Sequence, residues 1–84
     1  MNTNIREEVA TLAHEQWSGW MIFLFAKSEH RPDGSVVIPS DLVKRWERQM
    51  NTDYFNLPEN EKDSDRVEAD KFIQLFSNFA TGIR

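Results

Sequence analysis

The chain contains no cysteine, which excludes a disulfide framework and any thiolate metal site. Histidine is nearly absent too, with only His14 and His30, and no cluster of His, Asp and Glu has the spacing of a zinc centre. Neither a metal nor a cofactor is therefore expected. Glycine and proline number three each, and they form no glycine-rich phosphate loop and no Gly-x-Ser-x-Gly nucleophile elbow; a His-Glu-x-x-His helix is also missing. The longest strongly apolar run, residues 20–26, falls far short of the roughly 20 residues that cross a bilayer. No signal peptide is visible, so a cytoplasmic setting without membrane attachment is expected.

What the chain does have is aromatic mass. Its 84 residues include six Phe, three Trp and one Tyr. That length allows one domain, spanning residues 1–84, near the lower limit for a chain that folds on its own core. A domain so small and so aromatic often completes its core by association, so a homo-oligomer is an open expectation. The net charge of −4 argues against general nucleic-acid binding, which usually shows a basic face. The charge is uneven. Asp53, Glu59, Glu61, Asp63, Asp65, Glu68 and Asp70 face only Lys62 and Arg66 in the same stretch, while Lys44, Arg45 and Arg48 precede them. Such runs are usually solvated helix faces; the functional alternative is a basic patch able to hold a phosphate or an acidic partner.

Three helices can be read along the chain. The first begins near Asn4, where Asn4 and Glu7 have the form of a reciprocal capping box. Val9, Leu12, Ala13, Gln16, Trp17, Trp20, Met21 and Leu24 follow the spacing of one helix face. Residues 20–25 are apolar on every side, as in a helix buried within its domain or pressed against another chain. Gly19 lies inside this helix, where it would admit the close approach of another segment. The helix should end near Ser28. Arg31, Pro32, Asp33, Gly34 and Ser35 make a turn, and Val36-Val37-Ile38 reads as an extended segment or half of a small hairpin. Ser40 is expected to cap a second helix, with Leu42, Val43, Trp46 and Met50 as its apolar stripe. The third is expected to start at Pro58 and to stop at Gly82, with Ala69, Phe72, Ile73, Phe76 and Ala80 on one face and Leu75 and Phe79 at its border. Tyr54 and Leu57-Pro58 suit a hydrophobic staple at its entry. The expected fold class is all-α: three helices with an irregular Pro/Gly connection between the first two.

Little in this pattern points to catalysis. Glu61 and Asp65 share a helix face, as an acid/base pair or a cation site would, but the spacing is common on surface helices. His14 and Trp17 sit one turn apart. They are either a half-buried histidine beside a core tryptophan, or a ring face for stacking with His14 or Arg48 meeting a phosphate. Trp46 falls on an apolar stripe and reads as core. Asp65 and Arg66 suit capping or a bridge to the first helix.

Two segments resemble the repeat domain first described in ryanodine receptors, the RyR domain, which also occurs as short bacterial and phage proteins. Ala13-His14-Glu15-Gln16-Trp17 is similar to the family's His-Glu/Asn-x-Trp helix motif. The stretch Tyr54-Phe55-Asn56-Leu57-Pro58-Glu59-Asn60-Glu61-Lys62-Asp63-Ser64-Asp65-Arg66 is similar to its Pro-Tyr-x-x-Leu-Pro-Glu-x-Glu-Lys-x-x-Asp-Arg motif. Asp53 stands where the family has proline before the tyrosine, and Gly19-Trp20 lies nearer to the first motif than the family's Gly-Trp pair. The resemblance implies a compact helical module without catalytic chemistry, associated in receptors with adenine nucleotides and, in a phage-encoded version, acting in the host cytoplasm. It carries His14, Trp17, Tyr54 and Arg66 over as ligand-binding candidates; Arg48 joins them from the charge pattern. The two functional expectations are thus a nucleotide-like ligand site and, as the alternative, a module that binds a host or phage protein through its apolar and acidic surface.

Overall fold

A computed structural model describes residues 4–81 of the chain. It contains α1 (Ile5–Lys27), β1 (Glu29–His30), β2 (Val36–Val37), α2 (Ser40–Met50), a single 3-10 turn at Tyr54–Asn56, and α3 (Glu59–Thr81). The all-α expectation holds: three helices carry the chain, and the two-stranded ribbon is a minor connection. The expected stop at Gly82 lies outside the described residues.

Each helix begins and ends for local reasons. Asn4 caps α1 through its side chain, which accepts the Arg6 N–H at 2.7 Å. The reciprocal capping box does not form, because the Glu7 N–H goes instead to the Asn4 backbone carbonyl at 3.0 Å. Glu7 and Glu8 at the start of α1 and Lys27 at its end complement the helix dipole. At the far end the Ser28 hydroxyl donates to the Leu24 carbonyl at 2.7 Å. In α2 the residue outside the helix is Pro39, not Ser40. Ser40 is already helical, and the Leu42 and Val43 N–H groups close on the Pro39 carbonyl. Pro58 likewise precedes α3, and its carbonyl takes the N–H groups of Glu61 and Lys62. Proline suits both places because it has no N–H of its own to satisfy and its carbonyl is free to accept.

The connection between α1 and α2 is a complete hairpin. Glu29 pairs with Val37 and His30 with Val36 in an antiparallel register. Gly34 turns the chain at a φ of +92°, and the Asp33 carboxylate receives both the N–H and the hydroxyl of Ser35. Those two bonds hold the Asp33 carboxyl below its ordinary range. The His30 ring donates to the Phe25 carbonyl at 2.8 Å and ties the hairpin back to the helix it leaves.

Packing between elements is thin. α1 and α3 lie side by side, and the Gln16 amide donates to the Glu68 carbonyl at 3.3 Å near the middle of both helices. Trp20 and Phe23, further along α1, meet Trp46 of α2, and Arg48 of α2 reaches Glu61, one to two turns before Glu68. The two long helices therefore run in opposite senses, with α2 laid across one end of the pair. The molecule measures 47 × 36 × 16 Å, hardly more than one helix thick.

A consequence is that among the described residues no hydrophobic side chain is buried, and Ser28 alone counts as buried at 8% exposure. The apolar stretch at residues 20–25 was expected inside the domain or against another chain; within this chain it is covered only in part, with Met21 and Leu24 half-buried and Ile22 71% exposed. The reason is geometric: a two-helix layer has no second layer to close over it. The α3 face also divides. Phe72, Leu75 and Phe79 are half-buried, whereas Ala69, Ile73, Phe76 and Ala80 are exposed.

Two glycines give opposite predictions. A Cβ built at Gly19 meets nothing within 4 Å, so the expected close approach is not used by this chain. Gly19→Ala should stabilise the protein by about 1 kcal/mol through helix propensity alone. Gly34→Ala also meets nothing but is forced into a left-handed backbone, and should cost about 1–2 kcal/mol. Urea unfolding of both variants checks the signs, and a loss at position 19 would contradict the open geometry.

Candidate functional site

The crossing of α2 over the α1–α3 pair encloses a groove of about 820 Å³. Its apolar wall is an aromatic triangle. Trp20 meets Trp46 edge-on with ring centroids 5.2 Å apart, and stacks near Phe23 at 5.5 Å. Phe23 lies 6.3 Å from Trp46 and carries the Lys27 ammonium over its ring at 5.6 Å. Met50 of α2 and Leu57 before α3 extend this wall. Trp46, read from the sequence as core, is half-buried and belongs to the groove. One turn of helix separates Trp20 from Phe23, and Gly19 beside them adds no side chain to narrow the groove.

The opposite wall is polar and mostly acidic. Glu15 from α1 and Glu61, Asp65 and Glu68 from α3 line it together with Arg45 and Lys71, and Lys71 pairs with Glu68 on its own helix at 3.1 Å. Glu61 is the best defined of these. Its Oε2 accepts from Arg48 Nη2 at 2.6 Å, and its side chain is only 9% exposed. The other carboxylate oxygen, Oε1, is shut from solvent without a hydrogen-bond partner among the described residues. The hydrogen bond from Arg48, opposed by partial burial and aided by the nearby Gln49 and Arg45, holds the Glu61 carboxyl below its ordinary value. The groove wall thus contains an ionised carboxylate whose charge is held by Arg48.

The five residues singled out from the sequence fall in three places. His14 and Trp17 stack on each other at 5.9 Å on the surface of α1, and Trp17 is 58% exposed. Both lie outside the groove lining. Arg48 stands beside the groove, but its guanidinium is engaged by Glu61. Tyr54 and Arg66 form a third group. Arg66 pairs with Asp63 at 2.8 Å and Glu59 at 2.9 Å, and these carboxylates, with the Tyr54 hydroxyl, raise its pKa. Arg66 thus bonds along its own helix, and the expected bridge to α1 is not among its recorded partners. Tyr54 stacks edge-on against Phe55 and lies under the Lys62 ammonium.

Glu61 and Asp65, paired by spacing, do share the groove wall. Trp20, Phe23 and Trp46 were each legible as apolar, but their convergence was not. It depends on how the hairpin returns α2 across α1, which no short-range pattern encodes. Among the described residues no group of three or more His, Asp or Glu could hold a metal ion, and no helix is long and apolar enough to cross a membrane.

The Arg48–Glu61 pair predicts a pH dependence. Glu61 is held below its ordinary value of 4.5, so its stabilising effect is complete above that value and is lost as the pH falls through the depressed one. Urea midpoints from neutral pH down to about 3 should decline more gently in Glu61→Gln than in the parent protein. Equal acid slopes would show that the pair contributes nothing. Set against protein-family models, curated proteins and solved structures, the chain matches none of them.

Proposed function

We propose that this protein is a non-catalytic interaction module whose groove receives a segment of another protein. The observation that carries this reading is the aromatic wall of Trp20, Phe23 and Trp46 in a groove whose lining also holds Glu15, Asp65 and Glu68. Such a wall accepts aliphatic or aromatic anchors. The acidic lip adds a preference for lysine or arginine beside the anchor. An 820 Å³ groove lies within the range of ligand sites, commonly about 300–1,000 Å³, and an open apolar groove suits a helix or an extended peptide.

A nucleotide-like ligand is less well supported. Four carboxylates line the groove against two cations, so a phosphate there would meet like charge. Arg48, expected to meet a phosphate, and Arg66, carried over as a ligand-binding candidate, are both engaged by carboxylates. His14 and Trp17 offer a stacking face but no basic residue is shown beside them. A module of the RyR type remains compatible with the helical architecture, and we propose it as a relationship of fold with a protein ligand in place of a nucleotide.

Selection of displayed random peptides on the purified protein tests the reading. Enriched peptides should carry a bulky apolar anchor next to Lys or Arg, and should lose about tenfold or more in affinity on Trp46→Ala or Glu61→Gln. A thermal-shift screen against mono-, di- and cyclic nucleotides should stay flat. A shift of several degrees with a nucleotide, abolished by Trp17→Ala, would replace the protein ligand with a nucleotide.

A further inference from the structure

The face of the α1–α3 pair that points away from the groove is itself apolar. Of the α3 residues that line the groove, Asn60, Ser64 and Lys71 lie on one flank of the helix and Glu61, Asp65 and Glu68 turn towards α1; at 100° per residue, Ala69, Ile73, Phe76 and Ala80 lie on the flank beyond these. On α1 Glu15 and Gly19 share the first flank, Gln16, Trp20 and Phe23 turn towards α3, and the same geometry places Trp17 on the far flank. The reverse face therefore presents Trp17, Ile73 and Phe76, exposed by 58%, 63% and 49%, with alanines between them. The four, three, four spacing of residues 69, 73, 76 and 80 is that of a seam between paired helices.

We propose that this reverse face seats a second copy of the chain, so that two α1–α3 layers stack into a two-fold dimer with a four-helix centre and the two grooves facing outwards. The argument for a second copy is one of area. A folded monomer of 9.9 kDa exposes about 5,200 Å², whereas this chain exposes 6789 Å². The excess, on the order of 1,600 Å² per chain over its whole surface, is enough to supply the roughly 800 Å² that each partner gives up in a standard interface. Shape agrees. The radius of gyration is 16.8 Å, against about 12 Å for a compact domain of this length.

The identity of the occupant follows from the same features. The deficit is constitutive, since no hydrophobic side chain among the described residues is buried without it, and a partner always at hand is another copy of the chain. A two-fold pairing sets the same stripe against itself, which an apolar, alanine-spaced face tolerates. The groove, with its excess of carboxylates, would set like charges together if it were the contact between copies. Trp17 takes a defined role here, as an interface side chain. The inference does not depend on what the groove binds.

Sedimentation of the full chain across the micromolar range should show a species of twice the 9.9 kDa chain mass. Ile73→Glu and Phe76→Glu should each weaken the association about a hundredfold or more, because charge is set against charge in an apolar seam. These variants could simply unfold, so a second measurement is needed. The protein has no cysteine, so Ala69→Cys, Ile73→Cys and Asp63→Cys each carry one thiol. Mild oxidation should link the first two into dimers and leave the Asp63 variant monomeric. A folded monomer throughout the range would overturn the proposal, as would a dimer that survives Ile73→Glu but is lost in Trp20→Ala. Equal cross-linking at positions 63 and 73 would overturn it as well.

Discussion

Everything in this structure depends on a single helix pair. α1 and α3 are each 23 residues long, and their shared seam of half-buried side chains is the principal contact between elements. Isolated helices of moderate length are marginal in water, and tertiary packing supplies most of their stability. With one seam there is one source of that stability. The aromatic triangle and the Arg48–Glu61 pair then fix α2 across the end of the layer. A layer one helix thick leaves two faces open. The argument about function concerns how those faces are used.

The two faces differ in chemistry, and the difference separates their roles. One is concave, walled by aromatics and edged with carboxylates. Features of that kind select among partners by the shape of the anchor and the sign of the charges beside it. The other is apolar along the stripe of Ala69, Ile73, Phe76 and Ala80. Association through it is driven by area, and area alone discriminates poorly between partners, which suits contact with a copy of the same chain.

Helix limits, the Asp-Gly turn and the apolar stripes were readable from local sequence, since capping, turn chemistry and periodicity are short-range effects. Cap details were less so. Ser40 looked like an N-cap by composition, but Pro39 has an extended backbone and a carbonyl free to accept, and it took that place. The partner strand at Glu29–His30 is polar and only two residues long, too short for an alternation to show. For the site, the residues chosen from the sequence are real surface features, but they do not converge. His14 and Trp17 share a helix turn, and Tyr54 and Arg66 share the entry to α3. The groove instead joins α1, α2 and α3 across long separations in sequence, and the cue that might have found it was the rarity of a Trp in both α1 and α2. The apolar face of α3 was read as one stripe; three dimensions divided it into a side facing α1 and a side facing out.

The hairpin between α1 and α2 has a kinetic consequence. Its turn is closed by bonds between residues two to four apart, and His30 fastens it to Phe25 only five positions away. Contacts this local form on the microsecond scale, well before distant segments meet. The direction in which α2 leaves α1 is therefore set early. The chain then has little left to search: the slow event is the arrival of α3 along α1, the step in which both helices gain the seam that stabilises them.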